Sequence, residues 1–420
     1  MKPKLLTTLP GYTGRLFVGD LFAGISVALV AIPLSIAIAI ASGAPPEAGL
    51  GTAIVAGFLI SALGGSRVQI GGPTGAFIVV VYSVIAEHGY DGLVLATLMA
   101  GAILIVAGLL RAGSLIAYVP EAVVNGFTIG IAIVIAASQL KDFAGIAATG
   151  LPADFLPKMA ALWAARASVS WSAVSIGVGT LAAIVVLRRF VPQVPDRLVG
   201  TVLLSLVAAL LILPVETIAS QYGELPRSLP MPAFPEVTGS RIAELMPSAF
   251  VIAFLAAVES LLSAMVADRM IGGSHRPNAE VLAQGWANIG SALFGGLPAS
   301  GAIARTATNV RAGGKTPVAG IIHALVILIV LLSMAPLAGY LAMPALAALL
   351  IMTAWNMSEP HKWRGYWAAP REERLLLLLT LALTVLADLT VAIGVGVGIG
   401  LALRLRQNKL GPSDWDTPEP

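Results

Sequence analysis

The chain has 420 residues and a formal net charge of +3; 57% of its residues are hydrophobic, only 11% are charged, and the mean hydropathy is +0.90. A soluble domain carries about 25% charged residues, so these figures exclude one and predict a polytopic membrane protein. The absence of cysteine excludes disulfides, thiolate chemistry and sulfur-ligated metal sites.

Residues 1–20 mix polar and apolar types without a small-residue cleavage pattern, so the first apolar run is expected to be retained as a transmembrane helix. Apolar segments follow at 21–41, 48–63, 74–86, 93–110, 118–138, 171–187, 198–213, 245–266, 280–294, 302–312, 317–334, 343–356, 373–386 and 389–404, fourteen in all. In the first, Pro33 is expected to interrupt the helix and free a carbonyl near mid-depth, with Ser35 beside the opening; a simple kink is the alternative. Asp20 and Asp388 precede apolar runs and read as helix N-caps.

Segments 3 and 10 begin near Thr74 and Ala302 and are too short to cross a core that needs about twenty helical residues, so both read as half-helices. The leader Val68-Gln69-Ile70-Gly71-Gly72-Pro73 is β-like and Gly-rich, and predicts an extended strand meeting a half-helix that starts at Thr74. Segment 10 has a corresponding leader, Pro298-Ala299-Ser300-Gly301. Asn125, Gln139 and His323 are expected to make interhelical hydrogen bonds, proton relay being the alternative for His323. Residues 142–170 and 214–244 read as extracellular loops with short surface helices. Residues 361–373, with Trp363, Tyr366 and Trp367 among basic residues, read as a cytoplasmic amphipathic segment, and 407–420 as a polar tail.

With the N-terminus in the cytoplasm, and Arg305 set aside, alternation leaves only Lys141, Lys158, Arg166, Arg227 and Arg241 outside. Every other basic residue, Lys409 included, falls inside, as the positive-inside rule requires. The two halves resemble each other at a displacement of roughly 220 to 230 residues. Tyr118-Val119-Pro120-Glu121-Ala122-Val123 recurs loosely as Tyr340 to Leu346, and segment 3 corresponds to segment 10. A repeat of seven segments must insert its second copy upside down, which predicts a seven-plus-seven inverted repeat. The two half-helices then enter from opposite leaflets and aim their positive ends at one central point.

The first four N–H groups of a helix lack intrahelical acceptors, and its N-terminus carries roughly half a positive charge. Arg305, in the first turn of segment 10, adds a full charge whose burial at mid-membrane costs about 3 kcal/mol on insertion scales, so it needs a partner or a ligand. The stretch 297–316 therefore reads as one wall of an anion site, with Gly301 supporting its turn; an interfacial anchor is the alternative for Arg305. Glu259 stands in the middle of an apolar segment with Ser263 on the same helical face. An intramembrane carboxylate is a functional-site hypothesis by default, the alternative being a fixed Glu259–Arg305 salt bridge. Two helix ends plus Arg305 total about +2, and an ionised Glu259 lowers this to about +1. Protonating Glu259 would then favour a more negative guest, which points to proton coupling.

Gly313-Gly314-Lys315-Thr316 resembles the end of a phosphate-binding loop, but Asn309 stands where that motif needs glycine. No ATPase, nucleophile elbow or metal-ligand spacing is indicated, and no cofactor or nucleic-acid partner is expected.

With these motifs in order, the sequence resembles the sulfate permease (SulP) family, solute carrier family 26. The opening helix is matched by Gly19-Asp20-Leu21, Ala23-Gly24 and Pro33, followed by Ser42-Gly43-Ala44-Pro45-Pro46. Gly72-Pro73-Thr74 is similar to the family's third-helix start, Glu259-Ser260-Leu261-Leu262-Ser263 to its acidic eighth helix, and Ala304-Arg305-Thr306 with Gly313 to Pro317 to its tenth helix and following loop.

The resemblance implies a core domain (1–114 and 245–335) moving an anion past a gate domain (115–215 and 336–406), with 216–244 as an extracellular loop, in a homodimer. It implies substrate binding at Thr74, Gly75, Ala302, Ile303, Ala304, Arg305, Leu34 and Ile38. Members usually carry a cytosolic STAS domain, which this sequence lacks. Sodium-coupled bicarbonate carriers of the family add an acidic residue where Ser263 stands and a threonine near Ile303, so protons are favoured over sodium here. Leu34 replaces a frequent polar residue and leaves one fewer hydrogen bond for substrate.

The expectation is thus a secondary active transporter of a dicarboxylate, sulfate or bicarbonate, coupled to protons, in the lipid bilayer of a bacterial cytoplasmic membrane with both termini inside. An anion channel, a voltage-driven motor like prestin, or a nucleobase permease is the alternative; an enzyme is not indicated.

Overall fold

The computed structural model describes residues 2–114, 119–148, 150–191, 194–387 and 389–406. Tyr118, Asp388, Lys409 and the tail 407–420 lie outside the described residues. In chain order the elements are α1 (Lys4–Thr8), α2 (Gly14–Ala41), α3 (Pro46–Leu63), β1 (Gly71–Gly72), a 3-10 turn (Gly75–Phe77) running into α4 (Ile78–Leu109), α5 (Glu121–Ala144), α6 (Phe155–Ala164), α7 (Trp171–Phe190) and α8 (Asp196–Leu210). They continue with α9 (Ile218–Tyr222), α10 (Gly239–Ile271), α11 (Pro277–Leu293), β2 (Ser300–Gly301), α12 (Ile303–Arg311), α13 (Val318–Ala338), α14 (Met343–Met357), α15 (Trp363–Ala368), α16 (Arg371–Leu386) and α17 (Leu389–Arg406). Each expected apolar segment falls on helix, and 7 helices among the described residues are long and apolar enough to cross a membrane.

Several local expectations are corrected. The helix α2 starts at Gly14, where the Thr13 hydroxyl caps it by accepting from the Leu16 N–H. Asp20 therefore lies inside a helix and is no cap. Its carboxylate instead accepts from the backbone N–H of Lys315 at 2.8 Å and Thr316 at 3.2 Å, and from the hydroxyls of Thr316 and Tyr12. These donors lie in the turn just before α13, so Asp20 ties α2 to the other half of the chain. The same bonds occupy the N–H groups of Lys315 and Thr316, which removes any phosphate-loop reading of 313–316. Pro33 does not interrupt α2, which continues to Ala41. One lost backbone bond is affordable where the surrounding turn, from Ala31 to Ala39, is packed with buried side chains.

Segments 3 and 4 are not separated by a loop. They run together through α4, broken only at Gly89 (φ 70, ψ −179), a conformation open to glycine and strained for other residues. Asn125 and Gln139 bond within their own helix, Asn125 to Glu121 at 3.3 Å and Gln139 to Ser138 at 3.0 Å.

Two packed groups can be traced. One contains α2, α3, α4, α10, α11, α12 and α13; the other contains α5, α7, α8, α14, α16 and α17. The α4–α11 crossing shows why small residues recur: a Cβ on Gly101 would meet the Gly285 carbonyl at 2.8 Å, and one on Gly285 the Gly101 carbonyl at 2.8 Å. Without a hydrophobic drive between helices in lipid, such close backbone contact supplies dispersion instead. At one end of α11 the buried Glu280 accepts from the N–H groups of Gly65 at 2.8 Å and Ser66 at 3.1 Å, and from Gln284 at 2.9 Å. That fixes the turn leading into β1. The main bridge between the groups is α14 against α2.

Candidate functional site

The strands β1 and β2 pair antiparallel, Gly71 opposite Gly301 and Gly72 opposite Ser300. Each runs directly into a helix start, through Pro73-Thr74 into Gly75 and through Ala302 into Ile303. Because the pair is antiparallel, the two helices leave it in opposite directions. Thr74 (φ −122, ψ 157) and Ala302 (φ −93, ψ 108) are both extended, and neither supplies a side-chain cap. The first-turn N–H groups of both helices are thus uncapped by side chains and point their partial positive charge toward the crossing.

Side chains from three elements hold the crossing. The Ile70 carbonyl accepts from the Ala302 N–H at 2.8 Å, and the Ile70 N–H donates to Thr306 Oγ1 at 3.1 Å. On α10 the Ser260 hydroxyl accepts from the Gly301 N–H at 2.9 Å, and the Ser260 carbonyl accepts from Gln69 Nε2 at 3.2 Å. Asn309 donates to the Val68 carbonyl at 2.8 Å. Gly301 has no room for a side chain, since a Cβ would lie 1.6 Å from Gln69 Nε2.

Arg305 is 2% exposed, which overturns the interfacial-anchor alternative. Its Nη2 donates to Ser35 Oγ and to the Pro73 carbonyl, each at 3.1 Å, while Nε and Nη1 have no hydrogen-bond partner. The guanidinium of one half-helix is therefore anchored on the leader of the other. Glu259 Oε2 accepts from Thr74 Oγ1 at 2.6 Å and from the Ser300 hydroxyl. No Glu259–Arg305 ion pair exists among the described residues, so the fixed salt bridge is also excluded. The reason is geometric: each charge is already held by neutral groups on the strand leaders.

The other expected residues divide. Thr74 and Ile303 are half-buried and Ala304 is exposed, while Gly75 abuts the second packed group, a Cβ there meeting Met357 Sδ at 3.1 Å and Ile135 at 3.5 Å. Ser263 is buried and committed to Thr306 Oγ1 at 3.0 Å, tying α10 to α12. Leu34 and Ile38, 5% and 1% exposed, belong to the continuous apolar core, against which Ile303 also packs; Ser35, between them in sequence, accepts from Arg305. Neither ring nitrogen of the buried His323 has a hydrogen-bond partner, so the expected interhelical bond is absent. Its ring packs against Gly57. Ser300, Gln69, Ser260 and Thr306 were not singled out in the sequence. Gln69 and Ser300 carried a signal, each as a polar residue in a strand leader.

The Sulfate permease family model matches residues 17–380. The chain is 44% identical over 351 residues to the Bacillus subtilis (strain 168) protein named "Putative sulfate transporter YvdB", covering 83% of this chain and 66% of that one. It is 31% identical over 341 residues to the bicarbonate transporter BicA of Picosynechococcus sp. (strain ATCC 27264 / PCC 7002 / PR-6), covering 79% and 60%. The chain thus spans under two thirds of the length of these relatives. Among solved structures, the transmembrane domain of a cyanobacterial BicA matches with a TM-score of 0.81 at 31% identity, over 91% of this chain and 99% of that one. Murine Slc26a9 in the inward-facing state matches with a TM-score of 0.87 at 18% identity, over 96% and 71%, a likeness of fold.

Proposed function

This chain belongs to the sulfate permease family, a multi-pass membrane protein whose matched relatives are transporters and not enzymes, and on that premise we propose that it is a secondary active carrier of small anions. Sulfate, bicarbonate and a small dicarboxylate are the candidate substrates, and alternating access is the proposed mechanism. The observation that carries this reading is the β1–β2 crossing, which joins two uncapped helix starts beside a buried arginine that has no carboxylate partner among the described residues. Such a centre has excess positive charge, and an anion supplies what the protein does not.

In this reading the bound anion sits against the N–H groups at Thr74, Gly75, Ile303 and Ala304. Arg305 acts chiefly through its field, because its head is turned to Pro73 and Ser35. Glu259 carries the coupling proton: with the carboxyl neutral the centre is more positive by one charge and favours anion loading. The hydroxyls of Thr74 and Ser300 serve either form, since a hydroxyl can donate to a carboxylate or accept from a carboxylic acid.

The first packed group is the proposed core domain and the second the gate, each made of two inverted halves, with gate domains pairing in a homodimer. Support for the seam comes from Gly75, a core residue in contact with Met357 and Ile135 of the gate. Orientation follows from the basic residues, with both termini in the cytoplasm of a bacterial cell. On α12, Ala304 and Arg311 are exposed and Thr308 half-buried, at helical spacing, which supports an opening toward the cytoplasm.

Uptake of radiolabelled sulfate, bicarbonate and succinate into proteoliposomes, with and without a pH gradient, tests the reading. A carrier accumulates one of them to a level set by the gradient. Dissipative flux that ignores the gradient identifies a channel instead.

A further inference from the structure

Away from the crossing, a small half-open cleft of about 30 Å3 lies on the seam between the two packed groups. Tyr82 and Ser83 of α4 line one side; Ser138 of α5 and Lys158 of α6 line the other. Tyr82 lies eight residues beyond Thr74, about 12 Å along the helix at 1.5 Å per residue. In the proposed orientation the cleft is therefore on the outer side of the central site.

Lys158 is the unusual member. The residue is 5% exposed, yet it makes no ion pair among the described residues. Its ammonium lies 4.6 Å from the centre of the Tyr82 ring, a cation–π contact that reaches from one packed group to the other. Burial pushes the Lys158 ammonium below the usual lysine range, opposed by the more distant carboxylate of Asp154. A buried lysine with no carboxylate beside it is costly. An anion entering the cleft would relieve that cost, meeting the ammonium together with the Ser83 hydroxyl, while the Tyr82 hydroxyl donates to the Leu151 carbonyl at 3.3 Å and holds the ring against the ammonium.

We propose that Lys158, with Tyr82 and Ser83, forms an outer anion-capture subsite, where a small oxyanion is held before it reaches the crossing. The proposal rests on the anion-carrier reading. The subsite also reports on the transport cycle: Lys158 is on the gate side and Tyr82 on the core side, so core movement separates them and opens or dismantles the subsite.

The test combines flux with chemical footprinting. In proteoliposomes of known orientation, Lys158→Gln should raise the half-saturating concentration of the transported anion about tenfold for entry from the outer face, leaving that for entry from the cytoplasmic face unaltered. Lys158→Arg should restore the outer value to within about threefold. In the wild-type protein, sulfate, bicarbonate or succinate should slow acetylation of Lys158 by an impermeant amine reagent, with no effect on Lys141. Equal change on both faces, no change on either, or labelling of Lys158 indifferent to all three anions overturns the subsite. Protection of Lys158 in a wild-type protein that moves none of the anions keeps the subsite and overturns the carrier reading. Should Lys158→Gln fail to fold, Lys158→Arg and the wild-type footprint still decide.

Discussion

Glu259 and Arg305 flank the same strand crossing without touching: the carboxylate is held by the hydroxyls of Thr74 and Ser300, and the guanidinium by Ser35 and the Pro73 carbonyl. Had they paired, each would have been fixed by the other, leaving the centre only the roughly +1 of its two helix ends. Held apart, Glu259 can gain or lose a proton while Arg305 keeps its place. This separates a variable charge from a fixed one.

Replacing Glu259 with glutamine keeps an acceptor for Thr74 and Ser300 but removes the titrating group. The variant is expected to bind the anion and to exchange it across the membrane, while net uptake loses its dependence on a pH gradient. Proteoliposome uptake at several external pH values measures this. A variant with the wild-type pH profile would remove Glu259 from the coupling step.

Arg305→Ala removes a buried charge and strands the Pro73 carbonyl and Ser35 hydroxyl that it holds. A unit charge about 8 Å from the anion at an effective dielectric of about 20 is worth about 2 kcal/mol, so anion affinity should fall by roughly 30-fold. Arg305→Lys, which keeps the charge but not the forked reach, should fall between the two. Affinities from equilibrium binding of sulfate, bicarbonate and succinate, read beside melting temperature, separate lost attraction from lost folding.

Gly301→Ala forces a methyl into the Gln69 side chain, its carbon 1.6 Å from Gln69 Nε2. Overpacking of this kind costs about 1–3 kcal/mol and should lower both the melting temperature and the transport rate. Adding Gln69→Ala should recover part of the loss, because the obstructing atoms are gone. Additive effects in that double-mutant cycle would mean the clash is not the cause.

Asp20→Asn keeps one oxygen for the N–H groups of Lys315 and Thr316 but removes the negative charge and puts an NH2 where Oδ2 accepts from the hydroxyls of Thr316 and Tyr12. The expected cost is about 1–3 kcal/mol of stability, visible as a lower melting point in detergent. An unchanged melting point at neutral pH would show that water replaces the clamp.

The short segments were legible because length and Gly/Pro leaders are local properties: nine residues of α12 cannot cross a bilayer whatever packs around them. Glu259 and Arg305 were legible because charge is rare at that depth. What the residues did not reveal was pairing across the chain. Asp20 looked like a cap because an acidic residue before an apolar run usually is one, whereas its true donors lie in the second half. Glu280, Ser260 and Thr306 carry no local mark at all, and Gln69 acquires its meaning only when α10 is beside it. His323 looked like a helix-to-helix bridge, yet neither of its nitrogens has a hydrogen-bond partner.

Gly71 and Gly72 find their strand partners only in Ser300 and Gly301, more than half the chain later. During synthesis the first half must therefore wait in the membrane with those ladder groups unmet, each such group costing several kcal/mol in hydrocarbon. The strand crossing is consequently completed only once the chain has passed β2, with α12 to α17 still to follow. A chain interrupted before Ser300 is an unfinished closure, and an obvious substrate for membrane quality control.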